Sequence, residues 1–228
     1  MTSLPTQAIH IFTGIILLKN KIAAHTYHIR IQSQDFSRIQ YSPGLMIEFY
    51  LSNPYYTTKS EVQPYAFWDY DPIHHIADFA ISIWDKEWIK EVQEGDSLFF
   101  RQASEQLVPD HTGDHYFLIG DIKALSHLYE MNRALPVSKK ISSLIYTEHE
   151  EEVFPDLDHS FPLKTCIINP IHAVNLQEKI QEYFPNDSQD TIVYLFGDPL
   201  IGSVICSYLK NNPLFDIRTI YLNGFCYG

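Results

Sequence analysis

The chain has 228 residues, of which 45% are apolar, and carries 28 acidic against 16 basic side chains for a net charge of −12. It is long enough for one large domain or two small ones, and apolar enough to fill an ordinary core. An acidic chain is a poor nucleic-acid binder, because neutralising phosphates needs a basic stripe, and anionic membrane surfaces repel it unless its few cations cluster.

In chain order, the first half reads as strands. Ile9 to Leu18 and Ala23 to Gln32 are extended runs on either side of a turn at Lys19-Asn20-Lys21. In the second run Tyr27, Ile29 and Ile31 alternate with His28 and Arg30, the period of a half-buried strand. Pro43-Gly44 is a turn before a third strand at 45–51. A polar loop covers 52–62. Strands follow at 65–70 and 76–83, then a short helix at 86–93 and a strand at 97–101. Several short strands with one late helix predict a small antiparallel barrel.

After a polar connector at 103–114 the pattern changes. Strands at 115–119, 141–147, 163–168, 191–196 and 217–223 alternate with helices at 122–134, 173–184 and 199–211. That alternation predicts a parallel sheet with crossover helices. We therefore expect a two-domain chain: a β-barrel over 1–110 and an α/β domain over 111–228. Two strand-to-helix joins stand out, Ile119-Gly120-Asp121 and Phe196-Gly197-Asp198. Glycine allows the tight turn and close approach of a dinucleotide to the protein backbone. The following helix N-terminus offers free N–H groups to an anion, as in nucleotide-binding sheets. The same two aspartates have a plainer reading as helix caps. Lys123 is the nearest cation to the first turn.

Other chemistry finds little support. Cys166, Cys206 and Cys226 form no C-x-x-C pair, against structural zinc or a redox dithiol, and suit a reducing compartment. His74-His75 point opposite ways in an extended chain, and His111, Asp114 and His115 have no matched fourth ligand. No Gly-x-Ser-x-Gly elbow or His-Glu-x-x-His pair occurs. The longest early apolar run is Ile15 to Leu18, too short for a signal peptide or a membrane span. A soluble, cytoplasmic protein is expected. The acidic run Glu148 to Glu152 reads as a solvated loop.

The order of motifs resembles the siderophore-interacting protein family, which has a ferredoxin-reductase-like fold: an N-terminal antiparallel FAD-type barrel and a C-terminal parallel α/β nucleotide-binding-like domain. Pro43-Gly44 resembles the turn before the family's flavin motif, R-x-Y-T-x-R-x-x-D-P, and Tyr65 to Pro72 resembles the motif itself. Gly120 to Leu125 with Leu135-Pro136 resembles its G-D-E-T-A-L-P stretch. Gly197-Asp198 and Asn223-Gly224-Phe225 resemble its second glycine-acid turn and closing S-G-Y strand. The resemblance implies reduction of ferric-siderophore iron by NADPH or NADH through FAD. It places Tyr65, Ala66, Phe67, Trp68, Ser82 and Lys86 at the flavin, and Gly120, Asp121, Gly197 and Asp198 on the nicotinamide side.

This sequence departs from that pattern where flavin charge would be met. The motif's arginines are Gln63 and Trp68, its threonine is Ala66, and only Tyr65 keeps its identity. Asp78-Phe79 matches the family's D-F, but the H-G that follows is Ser82-Ile83. The G-P-A-S-R-W helix start ends here in Asp85-Lys86-Glu87-Trp88, with only the tryptophan matched. A bidentate guanidinium facing phosphate is hard to replace, and Asp85 and Glu87 oppose pyrophosphate. The departures support an alternative: a degenerate member with lost or weakened flavin binding, acting as a binding or interaction protein.

Overall fold

The computed structural model describes residues 10–57, 60–83, 88–103, 107, 109–160, 162–185 and 190–224. Its first sheet has seven antiparallel strands: β1 (Phe12–Ala23), β2 (Thr26–Gln32), β3 (Met46–Tyr50), β4 (Val62–Ala66), β5 (Asp69–Asp71), β6 (Ile76–Ser82) and β7 (Ser97–Gln102). They lie in the order β4-β3-β7-β1-β2-β6-β5. Both edge strands are thus consecutive in the chain, joined by Phe67 and Trp68 alone. Six inter-strand spacings would separate the edges of a flat sheet by about 29 Å. The three Cα steps from Ala66 to Asp69 span at most about 11 Å. The sheet must therefore curl into a half-barrel. The expected single strand at 65–70 is two strands with this bend between them.

Inside the curl an aromatic core gathers Phe36, Phe49, Phe67, Phe79 and Phe100 with Ile29, Ile31 and Ile47. The expected turn at Lys19-Asn20-Lys21 is strand instead. β1 runs on through two register shifts, and the hairpin turns at Ala24-His25. Of the expected helix at 86–93, the described part is α1 (Trp88–Glu91).

The second sheet has five parallel strands: β8 (His115–Asp121), β9 (Lys140–Thr147), β10 (Thr165–Ile167), β11 (Thr191–Gly197) and β12 (Ile217–Gly224), in the order β10-β9-β8-β11-β12. Its helices are α2 (Leu125–Ala134), α3 (Ala173–Tyr183) and α4 (Pro199–Asn211). The inner strand β11 is buried along its whole length, as its unbroken apolar run requires. Tyr116, Leu118, Tyr194 and Phe196 face α2, while Phe117, Ile119, Val193 and Leu195 face α3 and α4. The α2 face also receives Met46, Ala66 and Trp68 from the barrel, so one continuous core joins the two domains. Among the described residues no helix is long and apolar enough to cross a membrane.

Candidate functional site

The parallel sheet grows from β8 through β9 to β10 on one side, then returns to place β11 and β12 on the other. Its winding reverses between β8 and β11, and open sheets bind ligands beyond the strand ends at such a switch point. Gly120 and Phe196 are register partners there, so the two glycine-acid turns lie side by side. The Asp121 carboxylate joins them. Its Oδ1 accepts the Lys123 and Ala124 backbone N–H groups at 2.9 and 3.2 Å, and its Oδ2 accepts that of Asp198 at 2.8 Å. Asp198 in turn caps α4, Oδ1 accepting the Leu200 and Ile201 N–H groups at 2.8 and 3.0 Å.

Gly197 sits at φ 114°, and a Cβ there would overlap the Asp121 carboxylate. The glycine is thus needed for the protein's own acid to approach. Burial raises the Asp121 carboxyl above the usual carboxylate range, opposed by its backbone donors and by Lys123. Tyr146, paired with Asp121 across β8 and β9, holds a buried hydroxyl with no hydrogen-bond partner among the described residues. Burial and the charges of Asp121 and Asp198 raise its phenol pKa. The amides that would cradle a phosphate are engaged by carboxylates, which also repel one.

The four adjacent residues expected at the flavin divide between two environments, as the two-residue period of extended chain requires. Tyr65 and Phe67 point into the barrel. Tyr65 is 8% exposed and packs on Phe49 and Trp88 at centroid separations of 5.4 and 6.2 Å. Its hydroxyl accepts Trp88 Nε1–H at 3.2 Å, and burial raises its pKa. Phe67 lies among Phe36, Tyr41, Tyr70 and Phe79.

Ala66 and Trp68 point instead into the seam with the α/β domain. Trp68 is 2% exposed, and its ring meets His28 and Phe154 edge-on at 5.2 and 5.3 Å. Its Nε1–H donates to Asp156 Oδ1 at 2.8 Å. Arg133 on α2 completes the junction, pairing with the Asp156 carboxylate and donating to the Trp68 carbonyl. Trp68 is thus held by an aspartate at its indole and by an arginine at its backbone carbonyl, both from the other domain.

Ser82 lies on β6 beside a narrow cleft, which it lines with Pro64, Tyr65, Ala66, Lys123 and Ser126. The Ser82 hydroxyl is buried without a partner among the described residues. The cleft measures about 20 Å³, room for about one water. Sites for ring-sized ligands run to roughly 300–1,000 Å³. As its side chains stand, this cleft does not fit an isoalloxazine. Lys86, with Asp85 and Glu87, lies outside the described residues. A larger recess, about 170 Å³, opens between α3 and α4 and is lined by none of the expected site residues.

Sequence reasoning missed the residues that close the seam. The acidic stretch expected to be solvated is partly internal: Glu152 is 1% exposed and pairs with His25 at the β1–β2 turn, and the Ala24 N–H donates to the Glu151 carbonyl at 2.9 Å. Asp156 just beyond is 3% exposed. Glu130 on α2, 3% exposed, accepts the Tyr41 hydroxyl at 2.8 Å and the Gly44 N–H at 3.0 Å from the barrel. The helical spacing of Glu130 and Arg133 was the only available signal, and it does not tell a buried charge from a solvated one.

No family model matches the chain, and no curated protein matches it. Solved structures do. The siderophore-interacting protein SipS from Aeromonas hydrophila superposes with a TM-score of 0.76 at 15% identity, over 95% of this chain and 98% of that one. A siderophore utilization protein from T. fusca gives 0.78 at 15%, over 95% and 92%. Ferredoxin-NADP+ reductase from Plasmodium falciparum gives 0.70 at 12%, over 96% and 99%. The chain has the ferredoxin-reductase-like fold, in the form found in siderophore-interacting proteins.

Proposed function

We propose that this chain is a divergent relative of the siderophore-interacting proteins that no longer holds a flavin tightly and works as a binding or interaction protein on a reductase scaffold. The observation that carries this reading is the Trp68 junction. Its indole is bonded to Asp156 and its backbone carbonyl to Arg133, at the position that the resemblance assigns to a motif arginine, and the cleft lined by the neighbouring Ala66 measures only about 20 Å³. The engaged turns at Asp121 and Asp198 argue in the same direction for NADPH or NADH, because both helix starts already carry an internal anion.

One observation favours a second reading, a working FAD-dependent and NAD(P)H-dependent reductase of ferric-siderophore iron. The cleft draws Ser82 from the barrel and Lys123 and Ser126 from the α/β domain to one place, with the Ser82 hydroxyl lacking a partner among the described residues. In that reading Tyr65, Ala66, Phe67, Trp68, Ser82 and Lys86 meet the flavin after the seam opens. Titration of the purified protein with FAD and with FMN, followed by flavin fluorescence, separates the two. The expected result is no binding of either at micromolar concentration. Micromolar FAD binding would overturn the proposal and restore the reductase, and FMN binding alone would indicate a shortened flavin site.

A further inference from the structure

Glu130 places a carboxyl group inside the domain seam with only neutral groups bonded to it. Among the described residues its partners are the Tyr41 hydroxyl and the Gly44 N–H, both from the loop between β2 and β3. Gly44 is tightly packed there: at φ 86°, a Cβ would lie 2.6 Å from the Leu107 carbonyl oxygen and 3.4 Å from Met131 Sδ on α2. Among the described residues, the remaining charged groups facing Glu130 are Arg133, one turn along α2, and Asp69 on β5. Arg133 is committed elsewhere, to Asp156, to the Trp68 carbonyl and, at 3.8 Å, to Asp69. A carboxylate in this position would be buried without an ion pair of its own, and that burial outweighs the two hydrogen bonds and the Arg133 charge, which favour ionisation.

We propose that the Glu130–Tyr41–Gly44 junction is a pH-sensitive clasp, in which ionisation of Glu130 releases the 39–45 loop of the barrel from α2. Burial raises the Glu130 carboxyl from its ordinary 4.5 to about 8 when the junction is closed. When the junction opens, water reaches the carboxyl and its ordinary value returns. The closed form is therefore fully favoured below about pH 4.5, loses its advantage as pH rises toward about 8, and changes no further above that. Tyr41 does not ionise in this window, because burial and then the nearby Glu130 raise its phenol pKa. The inference does not depend on whether the scaffold holds a flavin.

The test is amide exchange of the full chain by NMR between pH 5.5 and 8.5, corrected for intrinsic rates and read at Gly44. Protection there should fall by about tenfold or more across the range, and Glu130→Gln, which keeps the volume and cannot ionise, should flatten the profile. An unchanged profile in the parent, or an equal slope in the variant, would overturn the clasp. Should Glu130→Gln fail to fold, Tyr41→Phe serves instead. Losing a donor to the carboxylate raises the Glu130 pKa further, so the profile should keep its slope and level off at higher pH. A profile that stays in place would again overturn the clasp.

Discussion

Residues 65–68 of the barrel and the switch point of the parallel sheet are closed by opposite means. Over residues 65–68 the closure is apolar: ring and methyl groups fill the half-barrel and the seam, and one indole N–H anchors the plug to Asp156. At Gly120 and Gly197 the closure is polar: a single carboxylate takes three backbone N–H groups from two turns. The first depends on ring volume and one indole hydrogen bond. The second reuses a glycine-acid turn that could equally belong to a ligand site, with its acid turned inward. A crevice can thus be filled by bulk or by self-recognition, and the two kinds of closure respond differently to mutation.

Asp121→Ala should have the largest effect. It strips three amides of their acceptor in a buried crevice, and urea denaturation should register a loss of about 3–5 kcal/mol. A loss under about 1 kcal/mol would mean that water satisfies those amides and that the crevice is open after all.

Trp68→Ala comes next, at about 3–4 kcal/mol, from the cavity left in the seam. Trp68→Phe keeps most of the ring and should lose about 1–2 kcal/mol, the share of the bond to Asp156. If both variants unfold at the parent's midpoint, the indole does not hold the seam.

Asp198→Ala should be the mildest, about 1 kcal/mol, because it removes an ordinary helix cap at a half-exposed position. An effect as large as that of Asp121→Ala would erase the distinction between the acid that bridges two turns and the acid that caps one helix.

Much of the architecture was legible. The change from alternating strands to strand-helix pairs near residue 115 follows from local periodicity, and the parallel order follows from the crossovers. The helix at Pro199–Asn211 lies where the apolar pattern and the Asp198 cap put it. The misplaced hairpin turn has a local cause: polar Lys19, Asn20 and Lys21 look like a turn but lie on a strand whose register shifts twice. The strand expected at 65–70 breaks because the curl of the sheet demands a corner there, and a corner is a property of seven strands rather than of six residues.

The site was legible as a set of residues and not as an environment. Composition and periodicity alone determined that the chain alternates strand and helix in its second half and that Gly120-Asp121 and Gly197-Asp198 end strands and begin helices, because period, turn and cap act over a few residues. Whether those turns face a ligand or each other was decided only in three dimensions. The same holds for Trp68, whose partner Asp156 is 88 residues away, and for Glu152, whose partner His25 is 127 residues away. Burial gives such charges and ring donors their meaning, and it is set by chain segments that no local window contains.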